Sequence, residues 1–195
     1  MSAVLGVDPS LTVSGVALVE WHPGTDFPDP SWSTWRGRAQ KPETESVATS
    51  YRRMRIMLRE ILALVPPRLT LSVVEGPSMG SRHAGLADER AGLRWLLVSQ
   101  LIARGPVVLV SPTSRQALTG VGKISRGTPD SERKALVTAA VRSMLPDVNV
   151  PDHNVADSVA LAAAGAVAAG ADFITYAPKQ LAAHSNVPWP SELAS

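Results

Sequence analysis

The chain has 195 residues, 45% of them hydrophobic, with 19 Lys and Arg against 17 Asp and Glu and no cysteine. That length allows one sizeable α/β core and leaves a second full domain cramped; the lack of cysteine excludes disulfide frameworks, thiolate zinc sites and cysteine nucleophiles, so any metal must sit on oxygen or imidazole ligands. The most apolar stretch, the Ala-rich segment 156–171, is too short to cross a bilayer, and MSAVLGVDPS at the start lacks a basic region followed by a long apolar one, so a cytoplasmic setting without membrane contact is expected.

Residues 3–8, Ala-Val-Leu-Gly-Val-Asp, form an apolar run ending on a carboxylate and a Pro-Ser turn, the profile of a buried strand. Residues 15–20 are a second such run, and the turn at 9–14 between them predicts an antiparallel hairpin. Segment 22–31, rich in Pro, Asp and Gly, reads as loop, and 32–36 as a third, edge strand. Apolar or small residues at helical spacing over 44–64, interleaved with Arg52, Arg53, Arg55 and Arg59, predict a helix that Pro66 and Pro67 stop. Residues 69–75 are the next buried strand, again closing on a carboxylate before a Gly-Pro turn. A helix over 85–104, a strand over 106–110, a basic loop over 119–130, a helix from Asp130 to about 145 and another from near Asn154 follow. The order predicts a mixed α/β sheet flanked by helices in one domain over 1–177, with 178–195 a peripheral or disordered tail.

Asp8 and Glu75 each end an apolar strand, where an ionised group is heavily penalised by desolvation, and Asp157 interrupts the apolar start of the last long helix. A hard divalent cation such as Mg²⁺ or Mn²⁺ would offset that cost. Taken singly, each acid has an ordinary reading: Asp8 as an Asx turn before Pro9, Glu75 as a solvated strand end. Their combination on three apolar elements is what favours a shared site. Upstream of Asp157, His153 lies about 40° and Asn154 about 60° around the helix from it, so both can share its face, whereas Asp152 would precede the helix. Asp152 and Asn154 are also good helix caps, and His153 an ordinary helix-start histidine.

The segment Leu5-Gly6-Val7-Asp8-Pro9-Ser10 with Ser14-Gly15-Val16-Ala17 resembles the opening hairpin of RuvC-type Holliday junction resolvases. Val73-Val74-Glu75 is similar to that family's second acidic strand, and Ala156-Asp157-Ser158-Val159-Ala160-Leu161-Ala162 to its final acidic helix. Between them, Ser111-Pro112-Thr113 through Gly120-Val121-Gly122 and then Lys134-Ala135-Leu136-Val137 are similar to its Pro, Gly-x-Gly and Lys segment. The four motifs run in order from residue 3 to about 168, and the composition would suit a bacteriophage member from a GC-rich host.

The resemblance implies an RNase H-like fold, a mixed β-sheet flanked by α-helices, in a homodimer that cuts branched DNA with two Mg²⁺ or Mn²⁺ ions. It implies catalytic, metal-holding roles for Asp8, Glu75 and Asp157, and a charge-stabilising role near the scissile phosphate for Lys134. The family has Asp or His where this chain has Asn154, so His153, Asn154 or Asp152 would complete the metal site. Lys123, Arg126 and Arg133 are expected on the DNA backbone. The helix at 85–104, with Leu86, Leu93, Trp95, Leu96, Leu97 and Leu101, is a candidate dimer interface. Alternatives are a non-cleaving branched-DNA-binding protein and an RNase H-like nuclease acting on flaps or RNA. The opening hairpin also resembles the first phosphate loop of sugar kinases, which need two such domains around the nucleotide.

Overall fold

The structure is a computed structural model and describes residues 1–24, 30–77, 86–122, 124–125 and 127–194. Strands β1 (Ser2–Asp8) and β2 (Val13–Trp21) pair antiparallel as the hairpin that the sequence predicts, and β3 (Ser31–Arg38) continues the ladder along β2. Chain order then passes through helix α1 (Val47–Leu62), strand β4 (Leu71–Glu75), helix α2 (Ala87–Ile102) and strand β5 (Val107–Val110). Both late strands add in parallel on the other side of β1, giving the order β3-β2-β1-β4-β5 with β1 in the centre. Helices α3 (Pro112–Leu118), α4 (Asp130–Met144), α5 (His153–Ala168) and α6 (Pro178–Ser185) complete the described elements, with a 3₁₀ turn at Ser191–Ala194.

The side-chain alternation of a strand explains the two cores. Ala3, Leu5 and Val7 of β1 pack with Val16, Leu18 and Val74 against α1 and α2, through Met57, Ile61, Leu93, Leu97 and Leu101. The opposite parity, Val4 of β1, Ala17 and Val19 of β2, and Leu71 and Val73 of β4, packs against α5. Helix α5 is buried from Val155 to Ala166. Alanine is the best helix former and takes least room, so the same composition makes α5 helical and lets it lie close on the sheet.

That closeness is extreme at two positions. A Cβ at Gly6 would overlap the Ser158 carbonyl oxygen and come within 2.5 Å of the Ala162 nitrogen, and one at Gly15 would overlap the Asn154 carbonyl. Helix backbone and strand backbone are therefore in direct contact at the end of the sheet where β1 finishes.

Two features differ from the sequence reading. Helix α3 falls where only a motif was recognised; Ser111 caps it, its hydroxyl accepting from Ser114 N at 3.0 Å, and Pro112 takes the first-turn place that tolerates proline. The segment after 177, expected to be peripheral or disordered, instead packs on the core: Gln180 is buried and donates to the Leu118 carbonyl at 2.9 Å, and Val187 and Trp189 join the α5 cluster. Short helices without long hydrophobic periodicity leave little trace in sequence, which accounts for both. No helix among the described residues is long and apolar enough to cross a membrane.

Candidate active site

Asp8 and Glu75 are the last residues of adjacent parallel strands, and the register Gly6↔Val73, Val7↔Val74 brings them level. Counting in twos from Val4 and from Leu71, both point to the α5 face. The carboxyl ends of parallel strands are where α/β sheets open a crevice. Asp157, in the first turns of α5, completes the group, and the carboxyls of Asp8 and Glu75 hydrogen-bond each other. The turn after Asp8 is held by Ser14, whose buried hydroxyl donates to Ser10 O and accepts from Ser10 N, each at 2.9 Å.

A fourth residue, which the sequence reading did not single out, stands among the acids. Arg115 of α3 donates through Nε to Glu75 Oε1 at 2.8 Å and through a terminal nitrogen to Asp157 Oδ1. All three partners are largely buried, with side chains 12–14% exposed. Arg115 lies in the segment between Pro112 and Gly120, and as an arginine in a short polar helix it breaks no pattern that the sequence alone displays. As the side chains stand, no three His, Cys, Asp or Glu groups among the described residues converge closely enough to hold a metal ion, and the Arg115 guanidinium lies between two of the acids. The donor set nevertheless suits a hard divalent ion: Glu75 and Asp157 already flank a cation, and Asp8 lies within electrostatic reach of it.

Burial and crowding leave this site short of positive charge. Desolvation, with the neighbouring charges of Glu75 and Asp157, raises the Asp8 carboxyl well above the usual carboxylate range, against the pull of Arg115. Desolvation pushes Asp157 up to about 7, outweighing the Arg115 attraction. For Arg115 burial acts downward, but Asp157 and Glu75 prevail and hold the guanidinium more firmly protonated than usual. A pH dependence of the metal-free protein follows. Asp157 in the unfolded chain ionises near 3.8, whereas in the fold it holds its proton to about 7. Its contribution is therefore full below 3.8 and lost as pH rises to about 7, with Asp8 acting in the same direction. In a metal-free buffer series, melting temperature should decline from pH 4 to 7; a rise across that window would contradict the burial of these acids.

The other sequence candidates are placed as follows. Asp152 is the N-cap of α5, its Oδ1 accepting from Val155 N at 3.0 Å, and its Oδ2 accepts from Arg36 at 2.9 Å. Both of its oxygens are thus engaged, and it is not among the acids around Arg115. His153 and Asn154 open α5 and are partly buried. Burial first, then Lys134, lowers the His153 pKa, so its imidazole is neutral at pH 7. Lys134 of α4 pairs with Asp130 at 2.9 Å and, with Arg133, lines a cavity of about 100 Å³ that also touches Arg115 and Asp157. Lys123 and Arg126 lie outside the described residues. Of the apolar residues on α2, Leu93, Leu97 and Leu101 are spent on the core; Trp95, 61% exposed, and Ile102, 65% exposed, face outward.

No protein-family model and no curated protein matches the chain. Solved structures do. The chain is similar to Thermus thermophilus RuvC with a TM-score of 0.54 and 22% identity, over 82% of this chain and 90% of that one. It is similar to T. thermophilus RuvC in complex with Holliday junction substrate with a TM-score of 0.56 and 19% identity, over 83% and 90%. The fold is thus the RNase H-like one, a five-stranded mixed sheet flanked by helices.

Proposed function

We propose that the chain is a metal-dependent, structure-specific endodeoxyribonuclease of the RuvC type that resolves Holliday junctions and other branched DNA by phosphodiester hydrolysis. The observation that carries the reading is the gathering of Asp8, Glu75 and Asp157, from three elements, beside a basic cavity at the carboxyl end of the parallel strands. The likeness to a RuvC solved with Holliday junction substrate supports the choice of polymer. Asp8, on the central strand, would hold two Mg²⁺ or Mn²⁺ ions together with Glu75 and Asp157. When bound, the ions supply an activated water and neutralise charge on the departing 3′ oxygen. His153, a neutral imidazole one helical turn from Asp157, is the better fourth ligand; the Asn154 amide oxygen is the alternative, without charge. Lys134 and Arg133 would receive the scissile phosphate.

A labelled four-way junction, flap, duplex and RNA–DNA hybrid incubated with Mg²⁺ or Mn²⁺ test the reading. Paired cuts in the junction leaving 5′-phosphate and 3′-hydroxyl ends are expected. Junction binding without cutting would select the binding-only alternative, and preferred cutting of the flap or hybrid the other.

Symmetric incision across a junction calls for two active sites, and we propose a two-fold homodimer through the α1–α2 face. Outward Trp95 and Ile102 on α2 and Tyr51 and Ile56 on α1 are apolar surface that the monomer leaves exposed. Sedimentation at micromolar concentration should give a dimer that Trp95→Glu converts to monomer; a wild-type monomer throughout would remove the dimer.

A further inference from the structure

We propose that Arg115 is an exchangeable internal cation: it occupies Glu75 and Asp157 in the metal-free protein and must leave them for divalent ions to bind, so that its side chain sets metal affinity. The inference rests on the reading that Asp8, Glu75 and Asp157 are metal ligands.

Three acids crowded in one poorly solvated spot resist ionising together, and in metal-free protein a cation set between two of them favours the ionised forms. Arg115 is that cation, a planar fork with Nε on Glu75 and a terminal nitrogen on Asp157. The same lone pairs are those a divalent ion would take. A guanidinium held between two ligands of a doubly charged ion would face both steric overlap and like-charge repulsion in a site poor in water. The two kinds of cation are therefore mutually exclusive.

The exchange needs only the side chain to move. Helix α3 is fixed at one end by the Ser111 cap and at the other by Gln180, which donates to the Leu118 carbonyl at 2.9 Å. Beside Arg115 lies the cavity between α3 and α4, which Asp130, Lys134 and Gln116 also line. Asp130 pairs with Lys134 at 2.9 Å and is largely solvated, so it can share its carboxylate with a second cation. In that position the released guanidinium would add to the basic cavity next to Asp157. Arg115 is on this account a positioning residue, acting through the carboxylates it holds and releases.

Mn²⁺ binding, read by titration calorimetry on the full chain, separates this role from a merely structural one. Arg115→Gln should lower the melting temperature of metal-free protein yet bind Mn²⁺ at least about tenfold more tightly, within the usual range of coupling between competing ligands. A residue that only props up the site would, when removed, weaken Mn²⁺ binding. Wild-type protein offers a second measurement that needs no variant: the Arg115 Nε–H resonance, ordered by its bond to Glu75, should shift and lose exchange protection as Mg²⁺ is added. Equal or weaker Mn²⁺ binding by Arg115→Gln, or an Arg115 resonance unmoved by saturating Mg²⁺, overturns the exchange while leaving the metal site standing. If wild-type protein binds no Mn²⁺, or binds it as well after Asp8→Asn, the metal reading falls and the exchange with it.

Discussion

Asp8→Asn is expected to reduce junction cleavage at least about a thousandfold, a barrier increase of ~4 kcal/mol, while junction binding stays intact or tightens. The substitution keeps shape and hydrogen-bonding reach and removes one charge. Asp8 is the residue for which that charge matters most: it ends the central strand, hydrogen-bonds Glu75 and feels the charges of both Glu75 and Asp157. On the proposed metal reading, an amide there leaves one anionic ligand fewer. Binding should not suffer, because phosphates are attracted by basic residues such as Lys134 and Arg133 and repelled by carboxylates. The same change should stabilise metal-free protein at neutral pH, since the wild-type carboxyl is held far above its ordinary range by burial. A variant that is more stable, binds junction and does not cut would separate chemistry from folding in one protein. Cutting at the wild-type rate would end the case for metal at these acids.

The carboxylates were legible because two of them violate a strong rule. An acid closing an apolar strand is conspicuous in a one-dimensional pattern, and the alternation of Val4, Gly6 and Asp8 with that of Leu71, Val73 and Glu75 already puts both acids on one face once the strands are paired. The five strands and helices α1, α2, α4 and α5 follow from regular periodicities, and β3 and α1 are readable to within a few residues. Arg115 was hidden for the opposite reason. An arginine in a short polar helix breaks no pattern, and only the fold carries α3 from the end of β5 back over Glu75 and Asp157. Asp152 shows how local chemistry competes with a site: its cap on Val155 follows directly from its place before the helix, but its pairing with Arg36, 116 residues away, could not be read without the β3 position. The tail behaved likewise, since Gln180 and His184 are fixed by distant backbone carbonyls of Leu118 and Ala164 rather than by any repeat of their own.

Gly15→Ala should leave the chain folded, lower its stability by about 1–3 kcal/mol and cut junction cleavage roughly a hundredfold. Gly15 sits opposite Asp8 in the hairpin register, and its missing side chain is what allows the first turn of α5 to touch β2 through the Asn154 carbonyl. A methyl group has no space there, and what it meets is backbone, which cannot rotate aside as a side chain would. The helix start must therefore move away from the strand, carrying His153 and, one turn on, Asp157. Loss of a few tenths of an ångström is tolerable to the core, which continues through Ser158 and Ala162 over Gly6, but not to carboxylates that, on the proposed reading, hold metal together. Gly6→Ala would strike the middle of that contact and should cost more stability, because the helix is held there from both sides. The two variants thus predict different ratios of lost stability to lost cleavage, measurable by thermal melts and junction assays on the same preparations. Gly15→Ala cutting as fast as wild type would mean that the approach of α5 to the hairpin does not position Asp157.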